Sequence, residues 1–468
     1  MKEKTKVAII GAGIAGEYLL KELKNPRYQK YHLIGFIDDD QKKIGTKIKG
    51  IQVLDSTHKI PELVEKFDID LFIIAIPSVS GQVIQRIIDK IKITRKNFMI
   101  VPPIFQNLEI NQIAYPKKVD IDDLLRQPIQ NVLTKESMKQ LRNSTIMITG
   151  IAGSIGSEIG IQLASCQPKR IIGLDFAETP LFNITNRIQN EFPNIEFVPI
   201  LGNIQNQKLI SSIISEYKPD IIYHSAAFKH VGLMELYPYE CVKNNIQGSL
   251  NIIKESIKNK IERFVFISTD KAVNPQSIMG TSKRIIEKYI LSLKPNSSKF
   301  MIVRFGNVLE SNGSAIEIFK EQIKKGGPVT VTDLEMERYF MTIIEAAQLV
   351  IQASILGKGG ELMVLDMGEP YKIIEIIHRL IELYDFQYDT IPIKVIGKRK
   401  GEKLKEELFY SFEEPVEFKH DRIIKYKSNI DIGSAQFIKD VEDFALNHES
   451  LSKEEIIEVL FGFCEQKN

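Results

Sequence analysis

Cysteine is scarce in this chain: Cys166, Cys241 and Cys464 are the only three. They are too few and too scattered for a disulfide framework or a metal cluster, and an odd count suits a reducing compartment. A cytoplasm of the bacterial or archaeal type is the expectation, with no metal. Net charge is nearly absent as well. A formal +2 at pH 7 gives no global electrostatic case for nucleic acid, and Lys-rich patches such as Lys398-Arg399-Lys400 are short. No run of 18 or more apolar residues occurs, and Met1-Lys2-Glu3-Lys4-Thr5-Lys6 leads into a short strand rather than a signal-peptide core. These residues are therefore expected to hold no integral membrane segment. Low-complexity segments are missing too, and 468 residues with 43% hydrophobic and 26% charged suit two or three folded domains.

What is present is one large internal repeat: two strand, glycine-loop, helix openings, near Val7 and near Thr145, each followed by alternating strands and helices. The first reads Val7-Ala8-Ile9-Ile10-Gly11-Ala12-Gly13-Ile14-Ala15-Gly16, a buried strand followed by G-x-G-x-x-G and an apolar-periodic helix through Leu23. Gly11 and Gly13 allow a tight turn with close backbone approach to a phosphate, and Gly16 lets helix and strand pack closely. Asp38 closes the next strand, His32 to Ile37, at the distance expected for a ribose contact. Two readings stay open for this unit: a nucleotide pocket, or a Rossmann-shaped scaffold that binds nothing or only regulates.

From about Pro102 to Asn143 the prolines at 102, 103, 116 and 128 break the periodicity, which reads as a connector, and Ile121 to Arg126 forms a short amphipathic patch. The second opening carries Gly150-Ile151-Ala152-Gly153-Ser154-Ile155-Gly156, spaced G-x-x-G-x-x-G. That spacing directs a pyrophosphate to a helix N-terminus, where free N–H groups and the helix dipole favour anions. The strand Arg170 to Leu174 ends at Asp175, whose carboxylate can accept both ribose hydroxyls and would repel a 2′-phosphate. NAD is favoured over NADP. Asn203 and Ile204 follow another strand, and Ile221 to Ala227 runs into small residues, Ala226 among them, that let a cofactor lie close.

Behind a later strand stands Ser268-Thr269-Asp270-Lys271, then Met279 and Lys283. A short-chain dehydrogenase would carry Tyr four residues before its Lys, and Met279 occupies that place. This stretch resembles the UDP-N-acetylglucosamine 4,6-dehydratases of capsule and flagellar-glycan biosynthesis. Ser225 to Val231, Arg304 to Leu309, Gly326 to Asp333, Arg338 to Thr342 and Leu365 to Pro370 carry the same resemblance. It covers roughly residues 1 to 410, since long members of that family place a Rossmann-like domain ahead of the catalytic one. Those members usually begin with transmembrane helices, which these residues lack, and their branch carries Met in place of Tyr.

The resemblance implies a reaction in which a hydride leaves sugar C4, the C5 proton becomes acidic, C6 loses its hydroxyl as water, and the hydride returns at C6. It implies Lys271 as the base at C5 and Asp270 as the acid at the C6 oxygen. A neutral Lys beside a protonated Asp is the proton-shifted form of an ordinary ion pair, and burial in a closed site favours it. The C4 hydroxyl proton must pass to Thr269, to a water beside Met279, or to ionised Asp270. Lys283, on the same helical face as Met279, would reach the nicotinamide ribose. Met279 itself also reads as a packed core residue filling the place of a phenol.

For the UDP-sugar the resemblance implies Lys229, Asn307, Arg338 and Glu402, the basic groups neutralising pyrophosphate and Glu402 facing ribose hydroxyls. Two departures stand out. The family's Leu-Arg-Pro-Gly-Glu-Lys is Lys398-Arg399-Lys400-Gly401-Glu402-Lys403 here, and Asn203 replaces a common Asp near the adenine.

The expected architecture is α/β, with two tandem Rossmann-type parallel-sheet domains, the second an extended short-chain dehydrogenase fold with a small C-terminal substrate lobe. The boundaries read 1–115 for the N-terminal domain, 116–143 for a linker, 144–410 for the catalytic domain and 411–468 for a helical extension. Phe437, Val441, Phe444 and Ala445, then Ile456, Ile457, Val459 and Leu460, carry the helical periodicity of that extension. A homo-oligomer is the expectation for this class. The competing functions are a nucleotide-sugar 4-epimerase, which would depend on the missing Tyr, and a non-catalytic NAD-binding regulator.

Overall fold

The computed structural model describes residues 4–23, 30–102, 116–125, 135–293, 297–384, 390–418, 420–428 and 435–465. They fall into two compact units, Met1–Asn131 and Val132–Asn468, so the segment read as a linker, 116–143, divides between them. Within the connector, Pro103, Arg126 and Pro128 lie outside the described residues.

The first unit runs β1 (Thr5–Ile10), α1 (Ile14–Leu23), β2 (Tyr31–Ile37), β3 (Lys47–Ile48), β4 (Ile51–Asp55), α2 (Ile60–Phe67), β5 (Leu71–Ile74), α3 (Gly81–Ile93), β6 (Asn97–Ile100) and α4 (Ile121–Leu125). Its sheet has the order β3-β4-β2-β1-β5-β6, parallel except for the β3/β4 pair. Short β-branched runs such as Val7-Ala8-Ile9-Ile10 are wholly buried because helices cover the sheet. In α3 the residues Ile84, Ile87, Ile88 and Ile91 recur at helical spacing and all are buried.

The second unit opens with α5 (Lys135–Leu141), β7 (Thr145–Thr149), α6 (Ser154–Ser165), β8 (Arg170–Asp175), α7 (Glu178–Glu191), β9 (Glu196–Leu201), α8 (Gln207–Tyr217) and β10 (Ile221–His224). There follow α9 (Val231–Leu236), α10 (Pro238–Cys241), a π-helical turn at Val242–Gln247, α11 (Gly248–Lys258), β11 (Arg263–Thr269), α12 (Ile278–Leu291) and β12 (Lys299–Phe305). A lobe of short ladders is interleaved next: β13 (Asn307–Val308), α13 (Ala315–Lys324), β14 (Val329–Val331), β15 (Glu337–Arg338), β16 (Phe340–Met341), α14 (Ile343–Leu356), β17 (Glu361–Leu365), β18 (Tyr371–Lys372), α15 (Ile373–Leu383) and β19 (Ile393–Val395). The chain closes with β20 (Glu413–Val416), β21 (Ile423–Ser428), α16 (Ala435–Asn447) and α17 (Lys453–Gly462).

The main sheet has the order β20-β21-β17-β12-β11-β10-β7-β8-β9, and β21 is antiparallel to both its neighbours. The expected two Rossmann-type sheets are thus both present. Residues 411–428 add two strands to the catalytic sheet before the helical pair begins. Val441, Phe444, Ala445, Ile456 and Leu460 of that pair join the same apolar core as Ile285, Ile286 and Tyr289 of α12. Ser277 caps α12, its side chain accepting from Gly280 N at 3.1 Å, which fixes the first turn on which Met279 sits.

Candidate active site

The C-terminal ends of β7, β8, β10 and β11 surround a cavity of about 840 Å³ that continues into the lobe of short ladders. This is where an open parallel sheet collects its ligands. Gly150 has φ +70°, and a Cβ there would lie 2.8 Å from the Ala226 backbone. A Cβ on Gly156 would lie 2.0 Å from Gly150 O, so α6 rests directly on the turn. Beside Gly153 the space is open apart from Gly150 O at 3.3 Å. Asp175 Oδ2 accepts from Ala152 N and Oδ1 from Ala177 N, each at 2.9 Å. The carboxylate therefore braces the glycine turn and keeps lone pairs for ribose hydroxyls. The turn, the helix start and Asp175 together fit a dinucleotide.

On the other wall, β11 delivers Thr269 into a 3₁₀ turn at Asp270–Ala272. Thr269 Oγ1 donates to Asp270 Oδ1 at 2.8 Å, and Lys271 Nζ donates to the same oxygen at 3.0 Å. Lys271 Nζ also donates to Asn307 Oδ1 at 3.0 Å and stands 3.8 Å from Glu406 Oε1. Asp270 Oδ2 and Glu406 Oε2 are both buried without a hydrogen-bond partner. Burial pushes the Glu406 carboxyl up, against the pull of Lys271. Asp270 is wholly buried, whereas Lys271, Thr269 and Glu406 line the cavity.

Met279 is 4% exposed and lines the cavity, one turn before Lys283. Lys283 Nζ donates to Ile267 O at 2.9 Å and lies 4.6 Å from the centre of the Phe266 ring. Burial brings its pKa down to about 8. Sequence reasoning passed over Asn245, whose side chain accepts from Phe228 N at 2.8 Å and donates to Phe228 O at 3.0 Å and Ser282 Oγ at 3.1 Å. It sits in the π-helical turn, a distortion that often marks functional segments. The pair Asn244-Asn245 within a helical stretch was the available signal.

The residues assigned to the sugar nucleotide are brought to one region with different partners. Lys229 Nζ donates to Asn312 O at 2.7 Å, and Asn312 N donates to Ser154 Oγ at 3.1 Å, so this segment lies across the glycine turn. Arg338 holds the 403–404 backbone, donating to Lys403 O at 2.8 Å and Leu404 O at 3.1 Å. Glu402 lines the cavity and accepts from Arg399 N at 3.0 Å. Asn203 lines it near Asp175, with Oδ1 accepting from Gln205 N at 2.9 Å, and Ile204 and Ala226 complete that wall. Among the described residues no group of three or more His, Cys, Asp and Glu could hold a metal ion.

The first unit repeats the same brace. Asp38 Oδ2 accepts from Ala12 N at 2.7 Å and Oδ1 from Asp40 N at 2.9 Å, while Lys43 Nζ stands 3.3 Å from Oδ2. Burial acts to raise its pKa, and the two N–H donors with Lys43 outweigh that and lower it. Gly11 has φ +107°, a Cβ on Gly16 would strike Gly11 O at 2.0 Å, and the space beside Gly13 is open.

Residues 146–428 match the family described as polysaccharide biosynthesis protein. The chain belongs to that family, the group its motifs resemble. Residues 1–102 of this family member match a second family, the CoA-binding domain. Capsular polysaccharide biosynthesis protein CapD of Staphylococcus aureus is 40% identical over 468 residues, 98% of this chain and 76% of that protein. The probable polysaccharide biosynthesis protein EpsC of Bacillus subtilis is 41% identical over 86% of this chain and 68% of its own length. Among solved structures, Pen from Bacillus thuringiensis is 32% identical with a TM-score of 0.57, covering 62% of this chain and 90% of its own. DesIV of Streptomyces venezuelae, a dTDP-glucose 4,6-dehydratase, shares the fold at 19% identity, with a TM-score of 0.51 over 66% of this chain and 99% of its own. The second unit thus has the extended short-chain dehydrogenase fold. This family member is a polysaccharide biosynthesis protein, and no described helix is long and apolar enough to cross a membrane.

Proposed function

We propose that the chain is a hydro-lyase that converts UDP-N-acetylglucosamine to a UDP-4-keto-6-deoxy-N-acetylhexosamine, using NAD, in the cytoplasm. The observation that carries this reading is the pair Thr269 and Lys271 on the cavity wall, both donating to the buried Asp270 behind them, with Met279 lining the same cavity. When bound, the nicotinamide supplies the acceptor for the C4 hydride and returns that hydride at C6. Gly150, Gly153, Ser154, Ile155 and Gly156 would hold its pyrophosphate, and Asp175 its adenosine ribose. Thr269 Oγ1, already donating to Asp270, relays the sugar O4 proton to that carboxylate. Asp270 then protonates the departing C6 oxygen, and Lys271, aimed by Asn307, removes the C5 proton. Lys229, Arg338 and Glu402 would hold the sugar nucleotide.

A 4-epimerase relies on a phenol to take the O4 proton, and among the described residues lining the cavity none is a tyrosine. For the first unit we propose a second nucleotide at Gly11, Gly13, Gly16 and Asp38, which the CoA-binding domain match supports. The catalytic reading is tested by incubating the protein and NAD with UDP-N-acetylglucosamine and recording the product mass. A product lighter by one water is expected from the wild type and none from Lys271→Ala. An isomer of unchanged mass would favour the epimerase, and no product with tight NAD binding would favour a regulator.

A further inference from the structure

Elimination across C5 and C6 sets a proton count that one carboxylate cannot meet. Before C5 can be deprotonated, two protons must be held at once, the one released from sugar O4 and the one Lys271 carries as an ammonium. Asp270 can hold one of them. The oxygen that a relay through Thr269 reaches is Oδ1, to which Lys271 already donates as well.

A second carboxylate stands on the other side of the amine. Glu406 has a side chain only 4% exposed, and its Oε1 is 3.8 Å from Lys271 Nζ and 3.9 Å from Arg338 Nε. Its Oε2 is buried without a hydrogen-bond partner, and the residue lines the cavity. We propose that Glu406 is the positioning residue that takes the ammonium proton of Lys271, leaving the amine neutral when C5 must be deprotonated. This inference rests on the dehydratase reading above and extends it to a residue outside the set that the motifs supplied.

The steps balance. The O4 proton passes through Thr269 to Asp270 as the C4 hydride leaves. Lys271 passes its own proton to Glu406. The neutral amine then takes the C5 proton, the electrons of the C5–H bond form the C5=C6 bond, and the C6–O bond breaks. Asp270 gives its proton to the departing oxygen, which leaves as water. As the hydride returns at C6, Lys271 gives a proton back to C5 and recovers one from Glu406, so each group ends as it began.

The surroundings of Glu406 suit a group that holds a proton for part of a cycle. Burial favours its neutral form and Asp270 adds to that, while Lys271, Arg338 and Lys403 oppose it. Of these cations Lys403 donates to Val273 O at 2.6 Å, and Arg338 donates to the backbone at 337, 403 and 404. Lys271 is the one whose role in the cycle requires it to give up a proton.

Glu406→Gln keeps the shape and removes the proton acceptor. The wild type should turn over UDP-N-acetylglucosamine at a rate nearly level between pH 6.5 and 8.5. In the variant position 406 can no longer take the ammonium proton, and Lys271 must lose it to solvent. The expected result is a kcat roughly 100- to 1000-fold lower at pH 7.4 that rises with pH, with KM changed less than about threefold. Glu406→Asp, which keeps a carboxylate, should regain most of the rate with a level profile. A Gln variant with wild-type kcat and a level profile overturns the proposal, and so does one that loses the same factor at every pH. If the Gln protein cannot be recovered folded, the Asp variant decides: a level profile within about 30-fold of wild type supports the role, and a larger loss or a rate that rises steeply with pH overturns it. Absence of the dehydrated product from the wild type would instead remove the dehydratase reading, and this inference with it.

Discussion

Glu413→Gln should destabilise the second unit far more than a single surface charge would. Glu413 belongs to a buried set of two anions and two cations that joins β20 to the strands carrying the site. Arg304, with no exposed side-chain surface, contacts Glu413 at 2.8 and 3.2 Å and Glu287 at 2.7 and 3.0 Å. Arg284 adds contacts of 3.1 Å to Glu287 and 3.7 Å to Glu413. Glu287 Oε1 accepts from Ser268 Oγ at 2.6 Å, one residue before Thr269. The variant leaves two buried cations facing one anion. Removing one partner of a buried pair costs about 3–5 kcal/mol. Glutamine keeps an acceptor for Tyr410 N, which Glu413 bonds at 2.9 Å, so the lower end, about 3 kcal/mol or roughly a 150-fold change in the folded-to-unfolded ratio, is expected. The chain has no tryptophan, so urea unfolding is best followed by far-UV circular dichroism with hydrogen exchange of β11 and β12 peptides. Arg304→Met combined with Glu413→Gln leaves Arg284 and Glu287 as a balanced pair. The double variant should therefore lose at least about 1 kcal/mol less than the sum of the single losses. A loss under about 0.5 kcal/mol for Glu413→Gln, or strict additivity, would refute the reasoning.

His224 is wholly buried between Thr149 Oγ1 at 2.7 Å and Ser249 Oγ at 2.8 Å, and burial, with Lys283 adding, lowers its pKa to about 3. A folded pKa below the unfolded value of about 6.5 contributes stability that is full above pH 6.5 and is lost as pH falls toward 3. It should amount to about 2 kcal/mol by pH 5. His224→Gln should flatten that part of the urea-midpoint profile between pH 7.5 and 5, and an unchanged profile would count against it. Gly306→Ala places a Cβ 3.3 Å from Asp270 Oδ2 and 3.0 Å from Tyr339 Cβ. It should narrow the approach to Asp270 and lower kcat by about tenfold or more, roughly 1.4 kcal/mol or more in the barrier, with NAD affinity kept. Equal kcat in both proteins would show that Asp270 is reached another way.

Both glycine turns, the strand ends at Asp38 and Asp175, and the helical periodicity from Phe437 to Leu460 could be read from spacing, because local chemistry dictates them. The bracing of Ala12 N and Ala152 N by those aspartates could not, since a ribose-binding carboxylate and a turn-bracing one share the same place in sequence. The strands β20 and β21 were hidden for a related reason. In β20 the buried residue is Glu413 while its neighbours are exposed, so the inward position is a charge and the usual apolar alternation is missing. Glu406 escaped notice because its role depends on Lys271, 135 positions earlier, whose Nζ it approaches only after the lobe folds back. Motif reasoning went to Glu402 instead, which accepts from its own turn at Arg399 N.

The central claim is the elimination at C5 and C6. Its most direct measurement is the reaction of the protein and NAD with UDP-N-acetylglucosamine in deuterated water, followed by NMR of the sugar. A 4-keto-6-deoxy product carrying deuterium at C5 in the wild type, with no C5 exchange in Lys271→Ala, is the predicted result. A 4-epimer without deuterium at C5, or full dehydration by Lys271→Ala, would contradict it.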